Sequence, residues 1–158
     1  MSDACYEFFE ANIESARAFT RKTLTNIAKL NTGQEFIFLL ISTYRHYTIT
    51  NNLVKQILNG KSRRSPKMRK VSVDVAKKNL RKGLDILKEV ARDHTKIRED
   101  FTRITQKWPF GRFLFNIILR KLFDKFEENI EDLYLVIESA LEEEGEYVTA
   151  EELLASLS

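Results

Sequence analysis

The sequence is poor in the residues that break or cross-link a chain. It has one cysteine, two prolines and five glycines among 158 residues. A single cysteine, Cys5, excludes a disulfide within the chain and is typical of a reducing compartment. So few prolines and glycines favour long, uninterrupted helices.

Long apolar runs are also missing. The longest one, Phe36 to Ile41, falls far short of the roughly 20 apolar residues that a membrane-spanning helix needs, so we expect no transmembrane segment. The N-terminus has acidic residues where a secretory signal would have basic residues followed by an apolar stretch. We therefore predict a cytoplasmic protein without a signal peptide.

The sequence has none of the motifs that mark the common enzyme classes. It lacks a glycine-rich phosphate loop, a His-Glu-x-x-His pair and a Gly-x-Ser-x-Gly elbow. Neither His46 nor His94 follows a glutamate by three residues, as the ligands of a di-iron bundle do. We therefore predict a protein that is not an enzyme, with no catalytic residue, metal site or cofactor.

The clearest pattern that is present is an apolar seam in residues 76–108. Its members alternate at spacings of four and three: Ala76, Leu80, Gly83, Leu87, Val90, His94, Ile97, Phe101, Ile104 and Trp108. A repeat of 3.5 residues is typical of a helix that packs against other helices. The seam therefore indicates an all-α fold.

We predict one domain over residues 1–158, an up-down-up-down four-helix bundle with a short C-terminal fifth helix. The predicted helices and the exposed basic loop cover about residues 3–30, 34–58, 72–108, 112–144 and 150–157, with the loop at 60–71. Gly33, in a left-handed conformation, would end the first helix. Pro109 would end the third at Trp108, because proline disfavours helical geometry in the residue before it.

Helical spacing also predicts which residues of the fourth helix face inward. They begin with Phe115, Leu119, Leu122 and Phe126 and continue at the same spacing toward the C-terminus. Ser72 would cap the third helix and Gly145 would end the fourth.

Charged residues are sorted along the chain. Between Lys61 and Arg81 there are nine Lys or Arg and one acid, whereas between Asp124 and Glu152 there are twelve acids and one base. The predicted topology brings both blocks to one end of the bundle and leaves the aromatic segments at the other end.

The aromatic end has more apolar residues than one bundle helix normally buries. Residues 113–119 are apolar on nearly every side, although a bundle helix usually leaves one face to solvent. We therefore predict a non-enzymatic protein-interaction or regulatory bundle that self-associates, as a homodimer, or binds another protein. The predicted interface residues, for each of which core packing is the alternative, are Phe36, Phe38, Phe110, Phe113, Phe115 and Ile118.

The basic segment supports an alternative function, association with nucleic acid. Its cations could neutralise phosphates, but no aromatic residues stand among them to stack on bases. A solvated connector is thus the competing interpretation. The candidate residues are Lys61, Arg63, Arg64, Lys67, Arg69, Lys70, Lys77, Lys78 and Arg81.

A ligand or cofactor pocket inside the bundle is a further alternative. Its candidate residues are His94, which lies on the apolar seam, and Tyr44. A buried imidazole needs hydrogen-bond partners, so a structural His94 bonded across the bundle is the competing interpretation.

Overall fold

The computed structural model describes residues 4–58, 71–142 and 147–148, and the all-α class predicted from the sequence is confirmed. Its helices are α1 (Ala4–Ala28), α2 (Gly33–Leu58), α3 (Val73–Ile104), α4 (Pro109–Leu114) and α5 (Arg120–Leu141). One π-helical turn, Phe115–Leu119, joins α4 to α5. The two-residue strands β1 (Val71–Ser72) and β2 (Tyr147–Val148) pair antiparallel.

Three parts of the sequence-based prediction lie outside the described residues. They are the fifth helix at 150–157, Gly145 as the end of the fourth helix, and nearly all of the basic loop, residues 60–70. Residue 71, predicted to close that loop, begins β1. Ser72, predicted to cap the third helix, directly precedes α3 and pairs with Tyr147 in the strand register. The strand pair joins the chain that precedes α3 to the chain that follows α5.

The helices α1 and α5 pack against the same two neighbours. α1 contacts α2 and α3, and α5 contacts α2 and α3 as well. Contacts along α2 and α3 run in opposite order, since Phe36 meets Phe101 and Tyr47 meets His94. Contacts along α3 and α5 are likewise in opposite order: Phe101 with Phe115, and His94 with Glu127. No described helix is both long enough and apolar enough to cross a membrane.

The turn between α1 and α2 is built by a helix cap rather than by a left-handed glycine. Thr32 Oγ1 accepts a hydrogen bond from the Glu35 amide at 3.2 Å, and the Glu35 carboxylate accepts one from the Asn31 amide at 2.9 Å. This is close to a capping box, which satisfies amides at the start of a helix. The prediction for Gly33 was therefore wrong, because Gly33 is the first residue of α2.

The break between α3 and α4 lies earlier than predicted. α3 ends at Ile104, and amides of the next three residues bond back to carbonyls of its last turn. Trp108 is extended, with φ −124° and ψ 109°, as expected for a residue before proline. The next helix begins at Pro109 rather than near Arg112, because proline fits the first helical position, where no amide is needed.

The inward row predicted for the last long helix is confirmed at most of its described positions. Buried members of that row are Phe115, Leu119, Phe126, Ile130, Leu133 and Ile137. One position differs, because Phe123 is fully buried and Leu122 only partly. This position follows the π turn Phe115–Leu119, which holds more residues than an α turn.

Gly111 gives a test of how tightly α2 packs against α4. A Cβ built on Gly111 would lie 2.9 Å from the Phe36 ring, so Gly111→Ala should reduce the free energy of unfolding by about 1–3 kcal/mol. Chemical denaturation measures it. The matched control is Gly33→Ala, whose Cβ meets its nearest neighbour, Trp108, at an ordinary 3.4 Å. Equal effects of the two substitutions would contradict close packing at Gly111.

Candidate functional site

A hydrogen-bonded network of three side chains connects α2, α3 and α5. The Tyr47 hydroxyl lies 2.7 Å from His94 Nδ1, and His94 Nε2 lies 3.1 Å from Glu127 Oε2. Tyr47 is 1% exposed and His94 is 4% exposed, so two of the three groups are in the core. Arg98 carries the network to the surface, because it binds Glu127 and also Asp124, the latter at 2.9 Å.

Aromatic rings surround the buried part of this network. Phe123 and Phe126 lie with their ring centres 4.5 and 5.2 Å from that of Tyr47. The same two phenylalanines lie 5.3 and 4.8 Å from the His94 ring. Few polar partners are available in such surroundings, so the hydrogen bonds within the network are costly to lose.

The geometry assigns the protons. A Glu127 carboxylate only accepts, so His94 Nε2 carries a hydrogen and donates it. Nδ1 of the neutral ring is then an acceptor, and the Tyr47 hydroxyl donates to it. The pKa values agree: burial lowers the pKa of His94, against an opposing effect of Glu127, and burial raises the pKa of Tyr47 well above its ordinary value.

Both ring nitrogens of His94 are thus occupied by protein groups. Binding a metal or accepting a substrate proton would break one of these bonds, so the arrangement matches the structural interpretation of His94. A surface cavity of about 170 Å³ reaches the edge of His94 beside Glu127. The other pocket candidate, Tyr44, is 48% exposed and takes no part in the network, whereas Tyr47 one turn later does.

Sequence reasoning missed Tyr47 and Glu127 as partners of His94. Tyr47 has the helical spacing of a core residue, and a buried tyrosine hydroxyl needs a partner, so its pairing with His94 could have been inferred from antiparallel helices. Glu127 carried no such signal, because it is one of twelve acids in the block from Asp124 to Glu152.

A second polar contact fixes α2 against α5 farther along the bundle. Asn51 donates to the Leu122 carbonyl at 3.3 Å and accepts a hydrogen bond from Asn129 at 3.3 Å. Asn51 therefore marks the edge of α2 that faces α5. Tyr44 and Ile37 lie seven and fourteen residues before it, so they follow the same edge toward the aromatic end.

Exposed apolar side chains cover that end of α2 and the helix beside it. Phe110 is 79% exposed, Phe38 64% and Phe113 61%. Gly111 lies against Phe36, which places α4 next to the first turn of α2. We call these exposed side chains the apolar patch, and its members are Ile37, Phe38, Ile41, Tyr44, Phe110, Phe113 and Ile117. Phe38 lies at the side of the patch toward α1, where it lines a groove with Lys29 and Leu30.

Three of the six predicted interface residues belong to the apolar patch: Phe38, Phe110 and Phe113. Phe36 and Phe115 do not, because both are buried in the core. The Phe36 ring stacks on Trp108 and the Phe115 ring on Phe101. Ile118 is half-buried and packs against the core. For Phe36 and Phe115, the core alternative was therefore the correct one.

Cations accompany the apolar patch, and sequence reasoning did not note them. Residues 101–123 contain no acid and five bases. Three of these, Arg112, Arg120 and Lys121, are exposed and form no ion pair within the described part of the chain. The structure thus gives the aromatic end a positive rim, although the sequence analysis assigned charge to the opposite end.

Only three of the nine nucleic-acid candidates are among the described residues. Lys78 and Arg81 are exposed and Lys77 is half-buried near the start of α3. The six others, from Lys61 to Lys70, lie outside the described ranges. Association with nucleic acid therefore stays a prediction.

Within residues 4–58 and 71–142, no three His, Cys, Asp or Glu side chains are grouped as a metal site would require. Comparison with known proteins gives no relative, since no family model, no curated protein and no solved structure matches the chain.

Removing the Tyr47 hydroxyl tests the network. Tyr47→Phe leaves the buried His94 Nδ1 without a donor and should reduce the free energy of unfolding by about 1–3 kcal/mol. Tyr44→Phe is the matched control and should change it by less than about 0.5 kcal/mol, because Tyr44 is exposed. Denaturant titration compares the two, and a neutral Tyr47→Phe would contradict the proposed bond.

Protonation of His94 should destabilise the fold. Burial lowers the pKa of His94, and it also lowers the pKa of His46, aided by Lys22 and Arg45. Below the ordinary histidine pKa of about 6.5, the unfolded chain therefore binds more protons than the folded chain. The free energy of unfolding is highest above that pH and decreases as the pH falls through that value toward the lower pKa of the folded state. Melting temperature between about pH 7.5 and 5.5 measures the effect.

The control for this pH dependence is His94→Gln. Its amide can still donate to Glu127 but does not titrate, so its stability should fall less steeply with acid than that of the unmodified protein. Identical slopes for the two proteins would show that His94 is not responsible.

Proposed function

We propose that this chain is a non-enzymatic protein-interaction bundle, regulatory in role, that self-associates through the apolar patch. The bundle has up-down-up-down topology, with a fifth helix near the C-terminus. The observation that carries the proposal is the size of the apolar patch. Its side chains expose about 800 Å² together if each fully exposed side chain presents about 200 Å².

That area is large for a surface left in water. The largest apolar patch on an ordinary monomer is about 300–600 Å². A specific protein interface buries about 800 Å² on each partner. The apolar patch therefore has the area of one side of a standard interface, and its three exposed phenylalanines are the anchors that interfaces favour.

The position of the apolar patch also suits docking. It lies on two neighbouring helices whose inner faces are fixed by core contacts, including the Phe36–Trp108 stack and the close approach at Gly111. A surface held by such packing needs little ordering when a partner binds. A second copy of the chain is the simplest partner, because a two-fold dimer brings the same patch together from both sides.

Substitution at the centre of the apolar patch tests self-association. Phe113→Ser removes one anchor from each copy, so the dimer dissociation constant should rise by about a hundredfold or more, given 1.5–3 kcal/mol for each buried phenylalanine. Sedimentation velocity over a concentration series measures it. The matched control is Leu135→Ser, because Leu135 is 58% exposed but lies outside the apolar patch.

Salt gives an independent check on the partner. In a two-fold dimer the rim cations Arg112, Arg120 and Lys121 approach their own copies, so self-association should strengthen as ionic strength screens their repulsion. Binding to an acidic partner or to nucleic acid would instead weaken with salt. An unmodified chain that stays monomeric at high micromolar concentration at every salt level would refute self-association.

A further inference from the structure

A second surface feature lies between α1 and α3, away from the apolar patch. The ends of these two helices enclose a cavity of about 440 Å³. Ligand pockets in proteins typically measure about 300–1,000 Å³. At the roughly 30 Å³ that a water molecule occupies in the liquid, the cavity holds on the order of fifteen non-hydrogen atoms.

More than half of the residues that line this cavity are apolar. Leu24, Ile27 and Leu30 line it from the α1 side, and Ile104 and Trp108 line it from the α3 side. Ile27 and Ile104 are buried and belong to the core, so core residues form the inner end of the cavity. These walls suit a hydrocarbon or aromatic body.

The charged groups around the cavity are mostly positive. Lys96, Arg103 and Lys107 line it, with Asp100 as the one carboxylate. Each Asp100 oxygen already faces a cation, Arg103 at 2.9 Å and Lys96 at 3.6 Å. Lys107 forms no ion pair within the described part of the chain. The lining therefore has an excess of positive charge, and Lys107 is free to bind an anion.

Trp108 forms part of the apolar wall. Its ring is held in place by stacking on Phe36, with 5.3 Å between ring centres. The indole nitrogen lies next to Gly33, which is not among the residues that line the cavity. The ring therefore contributes apolar surface to the cavity and reports on its occupancy.

We propose that the cavity binds an amphipathic anion, a molecule with a hydrocarbon or aromatic body and one carboxylate or phosphate head. The body lies against the apolar walls, and the head binds Lys107 and Arg103 at the rim. The site uses α1 and α3, whereas the apolar patch uses α2, α4 and the π turn. Ligand binding and the proposed self-association therefore use different surface residues and can be measured separately.

Trp108 makes the proposal directly measurable, because it is the only tryptophan in the chain and lines the cavity. The probes are decanoate, decyl phosphate, decanol and decylammonium, each below its micelle concentration. The two anions should change Trp108 emission saturably, and decanol and decylammonium should bind at least about tenfold more weakly. The tighter of the two anions identifies the preferred head.

Substitutions locate the binding site. Lys107→Gln and Arg103→Gln should each weaken anion binding about five- to tenfold through loss of a charge-assisted contact. Lys107 is exposed and forms no ion pair within the described part of the chain, so Lys107→Gln should leave the fold unaffected. Arg103→Gln also removes a partner of the buried Asp100, so its melting temperature is measured beside its anion affinity. Lys121→Gln, an unpaired cation on the last long helix, is the matched control and should leave binding unchanged. Ala28→Phe, at an exposed position lining the cavity, should weaken binding by filling it.

Three results would overturn the proposal. They are no saturable response to either anion up to about 1 mM, equal affinity for decanol and decanoate, or anion affinity that Lys107→Gln and Arg103→Gln leave unchanged. The titration is repeated with Phe113→Ser. Anion binding that persists in that variant shows that the cavity binds its ligand whether or not the chain self-associates through the apolar patch.

Discussion

The alignment of α2 with α3 depends on one buried hydrogen bond, from the Tyr47 hydroxyl to His94 Nδ1. The two groups lie among phenylalanine rings, where the Tyr47 hydroxyl has no other described polar partner and the other His94 nitrogen is already bonded to Glu127. Sliding α2 along α3 by one turn would leave two buried polar groups unpaired, at a cost of about 1–3 kcal/mol for each. The hydrogen bond between His94 and Glu127 aligns α5 in the same way. These bonds fix the axial positions of the three helices relative to one another, and the positions of the surfaces at their ends depend on that alignment.

Those surfaces differ in chemistry although they lie at the same end of the bundle. The apolar patch on α2 and α4 is broad, exposed and bordered by cations, which suits another macromolecule. The cavity between α1 and α3 is narrow, walled by aliphatic side chains and positive at its rim, which suits a small molecule. Both depend on the Phe36–Trp108 stack, since Phe36 packs against α4 and Trp108 lines the cavity. One aromatic pair therefore supports two surfaces.

The class of the fold could be predicted from the sequence because the seam in residues 76–108 repeats over nine turns and has few interruptions. Local breaks were less predictable. Thr32 and Glu35 form a cap that depends on side-chain geometry, and the π turn leaves no mark in the spacing of apolar residues. The candidate surfaces were predicted only in part. Helical spacing already places Phe115 on the inward row, but Phe36 and Phe113 have the same chemistry, and only tertiary packing buries the first and leaves the second exposed.

The π turn separates α4 from α5, and the residues of these two helices can change separately. On the C-terminal side of the turn, Phe123, Phe126 and Leu133 continue the inward row of the bundle. On its N-terminal side, Phe110 and Phe113 of α4 are exposed, so a substitution at either residue leaves that row intact. Selection could therefore change the exposed residues of α4, and with them the molecules that the protein binds, while the buried row of α5 preserves the fold.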